Sequence, residues 1–262
     1  DVYEVHAFHR DNKCLVPCYK DYSLQLENEE ELFEVLESIC PKYLIHCAGL
    51  IDLEQCEKYP EHAYKQNVDI TRIIAKACRG KTKLVYISTD QVYGKGKNHT
   101  ENTRILKPLN VYGKTKLIGE QVVKEIGSDH LIIRTNIFGW NIKLGSVSSA
   151  EWIYQNLKEK KEITLFTDYF FNPIFAGRLA RIILELLKSD KKNVLNIGSN
   201  TKCSKYEFGI EMSKLMNCET SFIRKGSIDN FDFKAPRAKN LSLDIKKASE
   251  FGICLPGFKE SI

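Results

Sequence analysis

The chain has 262 residues, 43% hydrophobic and 28% charged, a composition ordinary for a soluble globular protein. That length allows one large α/β unit, or a major domain with a smaller appendage. A net charge of +5, with its 39 basic residues scattered, argues against nucleic-acid binding, and no apolar run reaches membrane-spanning length.

Nine cysteines without C-x-x-C spacing or a histidine cluster read as reduced thiols of a cytoplasmic protein, with no metal site. Cys40, Cys47 and Cys78 stand in apolar runs, where a thiol behaves as a small hydrophobe. The start "DVYEVHAFHRDNK" lacks the basic region and apolar core of a signal peptide, and it begins with Asp1 rather than Met.

In chain order, "YEVHAFHR" reads as a short strand. "NEEELFEVLESICP" is a helix capped by Asn28, with Glu31 completing a capping box and Leu32, Val35, Leu36 and Ile39 as its apolar face; Pro41 forbids continuation. "YLIHCAG" is a continuous apolar run ending in small residues, as in a strand buried on both faces. A helix over roughly 61–79 stops at Gly80, "KLVYIST" is the next buried strand, and a third helix runs from about Asn110 to about Ile126. "HLIIRTNIFG" is a further strand. Strands and helices alternating at this spacing predict a parallel, doubly wound α/β sheet, which places ligands beyond the carboxyl ends of its strands.

After about residue 140 the rhythm changes. "SSAEWIYQNLKEKK" and "SKYEFGIEMSKLM" are amphipathic helices, the latter with a Ser204-x-x-Glu207 capping box, interspersed with "ITLFTDYFFNPIF" and "NVLNIGS". This predicts a dinucleotide-binding domain over 1–140 and about 166–190. A smaller C-terminal α/β substrate domain takes about 141–165 and 191–262.

The stretch "NVYGKTK" puts Tyr112 and Lys116 four residues apart. Twelve tyrosines among 39 bases supply roughly two such pairs by chance. The chain has three, the others being Tyr93/Lys97 and Tyr154/Lys158. Tyr93/Lys97 lies in a glycine-rich loop, and no strand end precedes Tyr154/Lys158. Only Tyr112/Lys116 follows a buried strand ending in hydroxyls, "ISTD", with Thr89 and Asp90. On a helix the pair shares one face. Lowering a tyrosine from pKa 10 to about 7 takes roughly 4 kcal/mol, which a cation at about 4 Å supplies at an effective dielectric of 20. Lys116 could then tune Tyr112 as proton donor while Thr89 steadies a developing alkoxide, as hydride reduction of a ketone requires. The plain alternative is a buried helix tyrosine beside a surface lysine.

The whole pattern resembles the extended short-chain dehydrogenase/reductases, and among them the dTDP-4-dehydrorhamnose reductases. "YLIHCAGLIDLEQCEKYPEHAYKQNV", "ISTDQVYGKG", "PLNVYGKTKLIGE", "IIRTNIFG", "FNPIFAGRLA" and "APRAKNLSLD" follow in the family's order and spacing. The resemblance implies a Rossmann-type domain and NAD(P)-dependent reduction of the 4-keto group of a nucleotide-linked deoxysugar, in carbohydrate or polysaccharide biosynthesis. It implies Thr89, Tyr112 and Lys116 as catalytic residues, with Tyr112 and Lys116 also meeting the cofactor beside Cys47, Ala48, Gly49, Asn67 and Thr135. Substrate-binding positions are Ile51, Asp90, Asn136, Ile137 and Arg237. Arg10 follows the first strand where NAD-preferring members carry an acid, so NADP is favoured over NAD; His9 could assist.

Three departures stand beside it. The family's first strand and G-x-x-G-x-x-G turn, whose helix N-terminus binds the pyrophosphate, do not occur in these 262 residues, and the start at Asp1 rather than Met favours truncation over a lost phosphate cradle. Ile51 stands where the rhamnose-forming enzymes carry a threonine, and Ile137 where they carry a tryptophan. The resemblance therefore implies the reaction class more strongly than the sugar. The expected partners are a nucleotide-sugar substrate and a second copy in a homodimer, with no nucleic acid or membrane. Two other functions share the scaffold: a nucleotide-sugar epimerase or dehydratase with bound NAD, and a non-catalytic dinucleotide-binding regulatory subunit.

Overall fold

Alternation of side chains along buried strands decides the architecture. The computed structural model describes residues 3–10, 18–126, 129–141, 147–188 and 193–261. Strands β1 (His6–His9) and β2 (Lys20–Ser23) pair in parallel, and helix α1 (Glu29–Ile39) follows. Asn28 caps α1, accepting from the Glu31 N–H at 3.4 Å. Strand β3 (Tyr43–His46) leads to α2 (Leu53–Lys58), α3 (Pro60–Tyr64), a π turn over Lys65–Asp69 and α4 (Ile70–Cys78). The single helix expected over 61–79 is thus interrupted at Asn67.

Strand β4 (Lys83–Thr89), helix α5 (Val111–Ile126) and strand β5 (His130–Phe138) complete the centre. In the parallel sheet β3 pairs with β4, and β4 with β5, in a register that sets Thr89 opposite Thr135. Beyond them come α6 (Ser149–Lys158), β6 (Ile163–Phe166), β7 (Phe170–Phe171), β8 (Pro173–Phe175), α7 (Ala176–Leu187) and β9 (Asn193–Ile197). Strand β5 is long enough to pair twice, with β9 along Leu131–Thr135 and with β8 along Asn136–Phe138. The segment 193–197, which sequence alone assigns to the smaller domain, therefore lies in the main sheet. Among the described residues, β1 and β2 make no ladder with it.

Leu84 and Tyr86 of β4 and Ile132 of β5 turn to one face and pack with Leu32, Leu36, Val68, Ile74, Val122 and Val123. Val85, Leu131 and Ile133 turn to the other and pack with Leu179, Ile182, Leu186, Leu195 and Ile197. Helices thus cover both faces of the sheet, the doubly wound arrangement. A third cluster joins Ile153 and Leu157 of α6 to Phe208 and Met212 of α8 (Lys205–Leu215). It also takes in β6 and β10 (Ile223–Gly226), which pair in parallel. No helix among the described residues is long and apolar enough to cross a membrane.

The eight described cysteines are free, but burial divides them: Cys78 is buried while Cys40 and Cys47 are exposed, against the reading of all three as small hydrophobes. Cys40 caps α1 in the left-handed region and Cys47 follows the end of β3. An apolar run therefore did not bury its last residue.

Beneath α5 lies a buried ion pair. Arg134 of β5 donates Nε to Glu120 Oε1 at 2.9 Å and an Nη to Oε2 at 2.6 Å, with Glu120 fully buried. The Ser88 hydroxyl donates to Glu120 at 2.6 Å, and a second Arg134 nitrogen donates to the Tyr93 hydroxyl at 2.9 Å. Tyr93 passes its own proton to Asn196 of β9 at 2.7 Å. Tyr93 is therefore structural, which removes the Tyr93/Lys97 pair from contention. Gly119 lets α5 approach β4: a Cβ there would lie 2.3 Å from the Tyr86 hydroxyl.

Removing one member of a buried pair strands the other's charge. Glu120→Ala should destabilise the fold by about 3–5 kcal/mol, read as a fall in denaturant midpoint at constant slope.

Candidate active site

The carboxyl ends of β3, β4 and β5 and the start of α5 supply the site. Asn110 sets where α5 begins: its Oδ1 accepts from the Gly113 N–H at 2.8 Å. Its Nδ2 donates to Gln91 Oε1 at 3.1 Å and to the Pro236 carbonyl at 3.0 Å. Glu57 of α2 accepts from the Val111 N–H at 2.9 Å, a carboxylate at the positive end of the helix dipole. A Cβ at Gly113 would lie 2.6 Å from the Gln91 carbonyl oxygen, so this first turn sits close against the segment following β4.

That approach brings Tyr112 to Thr89. Thr89 is buried, its hydroxyl donating to Asp90 and accepting from the Gln91 N–H, and it lies near enough to the Tyr112 phenol to influence its ionisation. Burial raises the phenol's pKa above the ordinary tyrosine value; Thr89 opposes the rise, while Asp90 and Cys56 add to it. This overturns the expectation that Lys116 brings Tyr112 towards neutrality. The ammonium instead lies over the Tyr86 ring, 4.0 Å from its centroid, where the π face attracts it. Burial lowers Lys116 to about 8, against Glu120 and Cys47, which favour its charged form. Among the described residues Nζ has no hydrogen-bond acceptor.

His46, at the end of β3, packs beside the same tyrosine, ring centroids 5.4 Å apart, and its Nε2 lies 3.0 Å from the Thr71 hydroxyl. Burial, with the Lys116 charge adding to it, drives His46 down to about 3, so the imidazole is neutral. Asn67, buried in the π turn, accepts from the Leu50 N–H at 2.7 Å and donates to the Leu50 carbonyl and the Thr115 hydroxyl, each at 3.0 Å. It thereby ties the turn after β3 to the residue preceding Lys116. A Cβ at Gly49 would lie 2.7 Å from Asn67 Oδ1, so the Cys47–Ala48–Gly49 turn needs its glycine.

On the other side of Thr89, the Asp90 carboxylate accepts from the Thr89 hydroxyl at 3.2 Å and from Asn136 Nδ2 at 2.7 Å. Burial lifts Asp90 to about 6, opposed by the Asn136 hydrogen bond and the charge of Lys205. Thr135, next along β5, has a buried hydroxyl without a partner among the described residues. Ile51 and Ile137 are both exposed, beyond β3 and near the end of β5. Arg237 donates to Glu54 of α2 at 2.8 Å. Arg10 is exposed just past β1, and its carbonyl accepts from Ser23. His9 Nε2 lies 2.9 Å from Asp21.

Hydrogen bonds thus join Thr89, Asp90 and Asn136, with Tyr112 nearby on the first turn of α5 and Lys116 one helical turn farther. Arg237 pairs instead with Glu54, and Arg10 lies just past β1. Lys205 was missed from sequence, where it reads as an ordinary helix-start lysine after a cap. Its signal is long-range: it lies over Phe171 and near Asp90.

A family model described as RmlD substrate binding domain matches residues 3–262. The probable low-salt glycan biosynthesis reductase Agl14 of Haloferax volcanii is 25% identical over 246 residues, covering 92% of this chain and 82% of that protein. Methionine adenosyltransferase 2 subunit beta of Xenopus laevis is 26% identical over 237 residues, 88% and 71% respectively. Among solved structures, a dTDP-4-dehydrorhamnose reductase of Bacillus anthracis in complex with NADP superposes with a TM-score of 0.85. It is 27% identical and covers 92% of this chain and 86% of that one.

A carboxyl whose folded pKa exceeds its unfolded value stabilises the fold below the unfolded pKa and loses that contribution as pH rises through the folded one. For Asp90 that window runs from 3.8 to about 6. Asp90→Asn should therefore gain stability relative to the parent as pH rises through that window, by about 3 kcal/mol in denaturant titrations.

Proposed function

Because the chain belongs to the RmlD substrate binding domain family, matched over residues 3–262, we propose that it reduces the 4-keto group of a nucleotide-linked deoxysugar with NADPH. It is an NAD(P)-dependent oxidoreductase of the extended short-chain dehydrogenase/reductase type. The observation that carries the reading is the meeting of the buried Thr89 hydroxyl at the end of β4 with the first turn of α5, which bears Tyr112, and a buried ammonium one helical turn farther along.

Three features of the chain suit a nicotinamide dinucleotide. The Cys47–Gly49 turn carries small side chains, and among the described residues the buried Thr135 hydroxyl has no partner and Lys116 Nζ no acceptor. In this reading Lys116 and Thr135 hold the cofactor, the Cys47–Gly49 turn lies beneath it, and Asn67 fixes that turn. Arg10 favours NADP, its guanidinium fork being suited to a 2′-phosphate; the similar Bacillus anthracis reductase was solved with NADP. Residues 1–140 and about 166–190 form the cofactor part. About 141–165 and 191–262 form the sugar part, except for β9, which joins the sheet.

A bound reduced nicotinamide supplies the hydride. Tyr112 Oη donates the proton to the sugar oxygen as the carbonyl becomes an alkoxide, and Thr89 gives that oxygen a second hydrogen bond. Burial keeps the phenol protonated, so the acid is loaded before reaction and readily regains a proton from solvent afterwards. Asp90, Asn136, Ile51, Ile137 and Arg237 are the proposed sugar-side residues.

A second reading, a dinucleotide-binding regulatory subunit, is favoured by the likeness to methionine adenosyltransferase 2 subunit beta. It predicts cofactor binding without ketone reduction.

Tyr112→Phe should bind NADPH as the parent does and lose about 10²–10⁴-fold in kcat, followed by NADPH absorbance with a nucleotide-linked 4-keto sugar. Thr89→Val should lose about 10–100-fold, since one hydrogen bond goes and the proton donor stays. Parental turnover by Tyr112→Phe would remove Tyr112 as the acid.

A further inference from the structure

Of the groups that carry the proposed reaction, Lys116 owes its place to a residue outside it. The ammonium lies 4.0 Å from the centroid of the Tyr86 ring. Tyr86 stands on β4, three residues before Thr89, and is fully buried. Lys116 is itself only 5% exposed, yet among the described residues its Nζ has neither a hydrogen-bond acceptor nor an ion pair. Burial strips such an ammonium of its hydration. A π face returns part of that loss without occupying an N–H.

The ring is held closely. A Cβ at Gly119, three residues after Lys116 on α5, would lie 2.3 Å from the Tyr86 hydroxyl and 3.0 Å from the ring carbon that bears it. The His46 imidazole packs beside the ring and lies 3.0 Å from the Thr71 hydroxyl, which donates to the Asn67 carbonyl at 2.8 Å. The side chain of that same Asn67 donates to Thr115, the residue before Lys116. One connected set of groups therefore locates both the backbone and the ammonium of the lysine. Few charges face Nζ. Glu120 on the same helix and Cys47 after β3 favour its charged form, while His46 is neutral and burial keeps the Tyr112 phenol protonated. Glu120 already accepts from Arg134 and Ser88.

We propose that Tyr86 is a positioning residue, whose ring face seats the Lys116 ammonium with its N–H groups left for the oxygens of a bound ligand. This rests on Lys116 holding the cofactor in the reading above, and adds what keeps that lysine charged and in place. A carboxylate at the ring's position would consume the donors. An aliphatic side chain there would leave the charge without a counterpart, and burial would then favour the neutral amine.

The test drains the π face without changing the packing. Tyr86→Phe is made in the full chain, and its ring then carries one, two and three fluorines, which weaken the negative face while the ring keeps nearly its size. Lys116 is titrated by NMR of carbon-labelled lysine, assigned with Lys116→Arg, and NADPH affinity is followed by fluorescence at about pH 6 and about pH 8. Tyr86→Phe should match the parent, in which burial sets Lys116 at about 8. Along the fluorinated series the lysine should titrate progressively lower, by about one pH unit at the third fluorine. Binding by the charged form then weakens about fivefold at the higher pH and by less than about twofold at the lower. A lysine that titrates alike in every member would overturn the proposal, as would a shift that leaves NADPH affinity at the higher pH unchanged. Equal weakening at both pH values with a falling melting temperature would also overturn it, since that marks a ring needed only for packing. So would a parent that binds no NADPH. Binding that follows the lysine through the series, with no keto sugar reduced, would leave Tyr86 in this role and remove the reductase reading.

Discussion

Helix α5 carries both Tyr112 and Lys116, and its position rests on a carboxylate and a guanidinium that have left water together. Glu120 and Arg134 are both almost wholly buried, and each finds in the other two hydrogen bonds that water would otherwise supply. Neither charge tolerates the other's departure, so the helix cannot slide along the sheet without stranding one of them. Ser88 adds β4 to the pair, and Tyr93 with Asn196 adds β9. Three strands and one helix are thereby held in one arrangement, and the residues one and two turns before Glu120 inherit it.

The same close contact shapes the electrostatics of the site. Gly119 leaves room for the Tyr86 phenol, whose ring then lies under Lys116. A lysine held by a π face stays charged without spending its donors, unlike one held by a carboxylate. Lys205 repeats the device over Phe171 on the other side of Asp90. Two ammonium groups thus lie over ring faces in this part of the molecule, and among the described residues neither has a hydrogen-bond acceptor.

Features encoded by local pattern were legible in the sequence. Uninterrupted apolar runs marked β3, β4 and β5, and the Asn28 and Ser204 caps marked two helix starts. Features that depend on distant partners were not. The π turn at Asn67 arises where a side chain reaches across to Leu50 and Thr115, which no helical periodicity announces. Strand β9 could be placed only by knowing that β5 pairs twice. The distance from Lys116 to Tyr112 was assumed from i,i+4 spacing, whereas the lysine turns towards a ring of another strand. Spacing on a helix gives a shared face and leaves the side chain's partner to the fold.

The most direct measurement follows the hydride itself. The protein is given NADPH deuterated at the transferring carbon together with dTDP-4-dehydrorhamnose, and the sugar product is analysed by mass spectrometry and NMR. Deuterium at C4 of the product, formed in step with cofactor oxidation, is the predicted result. Cofactor binding with no labelled product, from this ketone or from other nucleotide-linked 4-keto sugars, would contradict a reductase built on Thr89, Tyr112 and Lys116.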